Sequence, residues 1–166
     1  MSELPMRKHP RLKGYDYGQN GAYFITFCTK DKLKTLGRVV VHDAFSAPFV
    51  DLTGLGEAVL KEIEETHTHY DSVVVDKFVV MPNHVHLIVL INGDDGTPGV
   101  SRTTNALIPR FVTMIKKKTN KAFGSDVWQR SFHDHIIRDE SEYLRIWQYI
   151  DGNPALWSED RYFAPD

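Results

Sequence analysis

Two strongly apolar, β-branched segments, 73–80 (VVVDKFVV) and 84–91 (HVHLIVLI), are separated by Met81-Pro82-Asn83 alone. So short a link reads as a turn between two consecutive strands. A chain that must accommodate this pair of strands needs helices to cover them. Their positions along the sequence decide the architecture.

The segment 22–28 (AYFITFC) is a further strand, aromatic and β-branched. Residues 37–51 read as mostly irregular, with Gly37 and Pro48, although Val39 to Val41 could form a short extra strand. Asp51 or Thr53 can cap a helix running to about Thr68, with Leu55, Val59, Leu60 and Ile63 as its apolar stripe. A second helix is expected from about Asn105 to Thr119, with Pro109 tolerated only near its first turn. Ser131 to Ile137 reads as a last strand, and Asp139 or Ser141 opens a final helix that stops near Asn153-Pro154. The order β-α-β-β-α-β is the split βαβ, ferredoxin-like (RRM-like) pattern of an α+β fold. It predicts an antiparallel sheet with helices on one face and the other face free to work. The final helix is an addition to that pattern.

At 166 residues the chain is expected to be one domain, 1–166, with a basic arm over 1–14 and a flexible Gly/Asp/Pro-rich loop over 92–103. Cys28 is the only cysteine, which excludes a disulfide framework and CxxC zinc sites. No apolar run approaches the ~20 residues of a membrane span. The N-terminus has no apolar h-region, so a cytoplasmic protein without membrane contact is expected. The net charge of −2 argues against a nucleic-acid partner, but the charges are segregated. Between Arg102 and Lys121 stand six basic residues and no acidic one, while acids gather at Glu57 to Glu65 and Asp139 to Glu142. The cationic stretch is either a nucleic-acid contact or a solvated helix face.

His84 and His86 alternate along a strand and therefore share one face, with Cα atoms roughly 6.8 Å apart. Two imidazoles so placed can grip one ion, or they can be half-buried side chains bonded to neighbours. His133 and His135 have the same spacing on the last strand, so spacing alone does not choose between the two pairs. His67 and His69 fall at a helix end, where residues two apart do not face each other. In the final helix Tyr143, Ile146, Trp147 and Ile150 form the buried stripe. Tyr149 lies about 110° from its centre, and Asn153 follows one turn later on the same flank.

FVVMPNHVHLIV, VWQRSFHDHIIRDESEY and YIDGNP, in this order and together with YDYGQNGAYFITFCTKD, resemble the single-tyrosine HUH transposases. The closest resemblance is to their REP-associated tyrosine transposase branch. It implies that Tyr149 is the catalytic nucleophile, attacking a DNA phosphate to leave a 5′-phosphotyrosine and a free 3′-OH. It also implies that His84, His86 and Asn153 hold a divalent metal, Mg²⁺ or Mn²⁺; a mixed nitrogen and oxygen set suits Mn²⁺ better. The expected activity is that of a transposase-like endonuclease and strand transferase, cleaving and rejoining single-stranded or hairpin DNA. The alternative is a non-catalytic nucleic-acid-binding module derived from a transposase. With the resemblance in view, Arg110, Lys116, Lys117, Lys118 and Lys121 are expected to neutralise DNA phosphates. Tyr15, Tyr17 and Trp128 are candidates to stack on bases, with core packing an equal alternative for Trp128. A homodimer is possible in this family, with the tyrosine serving its own or its partner's histidines. No general base is evident, Glu142 and Gln148 being the nearest candidates.

Overall fold

A computed structural model of the chain describes residues 21–92 and 107–165. The expected basic arm, Tyr15, Tyr17 and nearly all of the 92–103 loop lie outside the described residues. The elements run β1 (Gly21–Cys28), β2 (Gly37–Val40), β3 (Phe49–Leu52), α1 (Gly54–Glu64), β4 (Val73–Val80), β5 (His84–Ile91), α2 (Leu107–Phe123), β6 (His133–Ile137) and α3 (Glu140–Gly152).

Four strands form one sheet in the order β4-β5-β1-β6, and each neighbouring pair is antiparallel. This is the strand order of the split βαβ fold, so the fold class is as the sequence predicted. β2 and β3 form a separate two-stranded hairpin where the sequence read mostly as irregular. Val39 pairs with Val50, and Arg38 Nε donates to Asp51 at 3.0 Å. Pro48 stands just before β3, where its missing N–H costs no ladder bond. At the start of α1, Gly56 N–H donates to the Thr53 hydroxyl as the cap expectation requires. The α-helix ends at Glu64, and a 3₁₀ turn continues to Thr68. α2 runs four residues beyond the predicted Thr119. The Thr119 hydroxyl donates back to Ile115 O instead of breaking the helix, and Gly124 at φ 66° ends the run.

The two faces of the sheet carry different cargo. One presents Tyr23, Ile25, Phe27, Val85, Leu87 and Val89 to Val59 and Ile63 of α1 and to Ile108, Phe111, Val112 and Ile115 of α2. Each such side chain contributes about 1.5–3 kcal/mol on burial. Trp128 belongs to this core. It is buried against Phe27 and donates its indole N–H to Thr119 Oγ1 at 2.8 Å, so it is not available to stack on a base.

The opposite face was expected to be free, and instead carries α3. Ile146 and Ile150 pack there on Phe24, Ile88 and Leu90, with Tyr143, Trp147 and Tyr149 around them. Polar contacts moor the helix to edge strand β4. A β-bulge between Val75 and Lys77 breaks the alternation. The consecutive residues Asp76 and Lys77 both engage α3: Asp76 accepts from the Tyr143 hydroxyl, and Lys77 pairs with Asp151 at 2.5 Å. The Lys77 ammonium also lies 3.8 Å over the Trp147 ring.

Candidate active site

His84 and His86 open β5 on the α3 face of the sheet, both fully buried, with ring centroids 4.5 Å apart. Tyr149 reaches them from the flank of α3. Its ring meets Phe24 edge-on at 6.2 Å, and its hydroxyl oxygen stands 3.2 Å from His86 Nε2. Asn153, one turn further on, is buried beside them. The structure thus brings together the four residues singled out on β5 and the last helix, all within one chain.

Hydrogen-bond donors and acceptors fix the state of His84. Asn83 donates its Nδ2 protons to Lys32 O at 3.2 Å and Tyr162 O at 2.9 Å, which turns its Oδ1 toward His84. An amide oxygen only accepts, so the 2.8 Å contact requires the His84 proton on Nδ1. Burial pushes the His84 pKa down to about 4, against the partial opposition of the nearby Asp160 carboxylate, so the ring is neutral at physiological pH. Its Nε2 lone pair is therefore bare. That atom is buried and has no hydrogen-bond partner among the described residues, and the same holds for Asn153 Oδ1. His86 is also held neutral, by burial first and then by repulsion from His84 and Arg161; its Nδ1 lies 2.6 Å from Thr26 Oγ1.

Sequence reasoning missed Asp160, which follows α3 in an irregular segment with no periodicity to mark it. Its buried side chain accepts at Oδ2 from the Tyr149 hydroxyl (2.7 Å) and Asn153 Nδ2 (2.9 Å), and at Oδ1 from Tyr162 N–H (2.6 Å). Tyr149 spends its one proton on Asp160, so its oxygen faces His86 Nε2 at 3.2 Å without donating to it; with the His86 proton on Nδ1, toward Thr26 Oγ1, that Nε2 is left to accept or to bind an ion. Burial, then the bond to Asp160, pushes the Tyr149 pKa well above that of an ordinary phenol. His84, His86 and Asp160 place one ligand atom each within 4.8 Å of one another. A bare imidazole nitrogen, an unpartnered amide oxygen and a carboxylate converging in a buried space make a donor set that fits a divalent cation.

Other residues singled out in the sequence do not converge here. Arg110, Lys116, Lys117, Lys118 and Lys121 ride α2, on the far face of the sheet. Lys116 donates to the carbonyls of Gln129 and Ser131, and Lys118 pairs with Glu62 at 2.7 Å, whereas Arg110, Lys117 and Lys121 are exposed. His133 is exposed on β6, and His135 pairs with Glu142. Glu142 is thereby occupied, caps Arg138 N–H as well, and does not touch Tyr149; Gln148 faces outward. His67 contacts Glu64 O and His69 contacts Lys118.

No family model matches the chain. An uncharacterized protein of Haemophilus influenzae is 35% identical over 176 residues, covering 95% of this chain and 93% of its own. A second protein of that organism, described as a "Putative REP-associated tyrosine transposase", is 25% identical over 84% of this chain and 73% of its own. Among solved structures, a REP-associated tyrosine transposase bound to a REP hairpin matches with a TM-score of 0.58. Its identity is 22%, and the match covers 97% of this chain and 77% of that one. No described helix is long and apolar enough to cross a membrane. Similarity along most of its length and the shared fold place the chain in the REP-associated tyrosine transposase family.

Proposed function

We propose that the chain is a metal-dependent strand transferase that cleaves and rejoins single-stranded or hairpin DNA through Tyr149. The observation that carries this reading is the position of the Tyr149 hydroxyl, 3.2 Å from His86 Nε2 and close to two buried atoms, His84 Nε2 and Asn153 Oδ1, that have no hydrogen-bond partner among the described residues. A divalent ion, Mg²⁺ or Mn²⁺, held by His84, His86 and Asn153 would polarise the scissile phosphate and offset the charge that develops on it. Hairpin DNA is the substrate class assigned, since the fold neighbour was solved bound to one.

The remaining work belongs to the chain's own residues. The phenol oxygen forms a bond to phosphorus as the bond from phosphorus to the 3′ oxygen breaks. The phenol proton leaves along its existing hydrogen bond to Asp160 Oδ2, and the departing 3′ oxygen takes one up from water, giving a free 3′-OH. Phosphodiester energy is kept in the tyrosyl linkage, so attack by a 3′-OH reseals a strand without ATP. Tyr149 serves the histidines of its own chain. Arg110, Lys117 and Lys121, exposed on α2, would contact phosphates remote from the reacting one.

The test is incubation with labelled hairpin oligonucleotides and Mn²⁺, followed by denaturing electrophoresis. An adduct that resists denaturation and disappears with Tyr149→Phe or EDTA supports the reading. Tight, salt-sensitive binding without any adduct across a hairpin library would instead favour a non-catalytic DNA-binding module.

A further inference from the structure

We propose that Asp160 supplies the anionic ligand for the ion held by His84 and His86, bonding through Oδ1 while Oδ2 keeps hold of the Tyr149 hydroxyl. This rests on the metal-dependent reading above and deepens it, adding a carboxylate to a ligand set that would otherwise be neutral.

Three observations lead to it. The first is charge. Two neutral imidazoles and an amide offer a divalent ion no negative charge in a buried space where a bare cation is costly. Among the described residues, the only group of three His, Cys, Asp or Glu side chains that could hold an ion is His84, His86 and Asp160. Its carboxylate is buried, and its side chain is 1% exposed. The second is distance. Asp160 Oδ1 lies 4.0 Å from the bare Nε2 of His84. Two ligands bound at about 2.1 Å to one ion stand between about 3 and 4 Å apart, so the spacing suits a shared ion rather than a direct bond. The third is the division of labour between the two oxygens. Oδ1 faces His84 and has one hydrogen bond, from Tyr162 N–H; Oδ2 is taken by Tyr149 and Asn153. One carboxylate therefore touches the nucleophile, the amide ligand and the histidine side of the site. Bound to the ion through Oδ1, it would fix the distance between ion and phenol oxygen through a single rigid group.

A purely structural Asp160, closing the turn to Tyr162, predicts something different. Its replacement would lower stability and leave metal affinity alone. The experiment titrates the full chain, without DNA, with MnCl₂ and follows free Mn²⁺ by electron paramagnetic resonance. Thermal melts of the metal-free proteins serve as the fold control. The wild-type chain should bind one ion, His84→Ala should abolish that binding, and Asp160→Asn should weaken it by about tenfold or more. Asp160→Glu, which keeps the charge, should bind more tightly than Asp160→Asn. If Asp160→Asn does not fold, Asp160→Ser carries the same comparison. Wild-type affinity in a folded, uncharged variant overturns the proposal while leaving His84 and His86 as ligands. Absence of saturable Mn²⁺ binding in the wild-type chain overturns the metal-dependent reading itself.

Discussion

The Tyr149 hydroxyl oxygen stands 3.2 Å from Nε2 of His86, bringing a helix flank onto the start of a central strand. Nothing local to either residue creates that contact. It follows from the ferredoxin-like sheet, which puts β5 in its interior, and from the docking of α3 on the face away from α1 and α2.

Asn83 sets the protonation geometry of His84, the first of the proposed metal ligands. It pins the His84 proton to Nδ1 and so leaves Nε2 free to bind an ion. Replacing Asn83 by Ala is expected to weaken Mn²⁺ binding by about 10–100-fold. Imidazole NMR should show His84 moving toward a mixture of tautomers. Unchanged affinity and an unchanged tautomer would contradict the assignment.

Burial of neutral His84 makes stability depend on pH. The unfolded chain takes up a proton as the pH falls through about 6.5, while the folded chain resists until about 4. The contribution is therefore complete above 6.5 and is lost as the pH falls toward 4. It amounts to about 2 kcal/mol for His84 at pH 5, with His86 acting in the same direction. Urea denaturation at pH 7.5 and pH 5 should show this loss in the metal-free protein and a smaller one in His84→Asn. Equal losses in both would contradict it.

Much of the fold was legible, and the reason is periodicity. β4 and β5 were readable to the residue because each is a continuous β-branched run bounded by turn residues. The stripe of Tyr143, Ile146, Trp147 and Ile150 announced a buried face of α3. What it packed against was not legible, because the bulge at Asp76 and Lys77 is a tertiary device with no local signature. The hairpin of β2 and β3 was largely missed because its strands are only four residues each. At the site, alternation put His84 and His86 on one face, and helical spacing put Tyr149 beside Asn153. Asp160 escaped because it lies in neither a strand nor a helix, where spacing carries no information.

Lys77 holds α3 through Asp151 and the Trp147 ring. The Lys77→Met variant should lose about 1 kcal/mol of stability, since both interactions are partly solvated. Formation of the Tyr149 adduct should slow by up to about tenfold, with Mn²⁺ affinity unchanged. A slowed rate that comes with weaker Mn²⁺ binding would show that Lys77 acts on the metal site rather than on the placement of α3.

Arg110, Lys117 and Lys121 test whether α2 meets DNA. Replacing all three by Ala should reduce the slope of log affinity against log salt by about 0.7 for each single-strand phosphate that is no longer neutralised. Mn²⁺ affinity should stay the same, because α2 lies across the sheet from the histidines. An unchanged slope would return these residues to an ordinary solvated helix face.

Whether Tyr149 is the nucleophile is decided by isolating the protein–DNA adduct, digesting both components and mapping the modified peptide by mass spectrometry. The expected product is a nucleotide linked through its 5′ phosphate to Tyr149, formed only with the divalent ion present. An adduct on any other residue, or undiminished adduct formation by Tyr149→Phe, would contradict it.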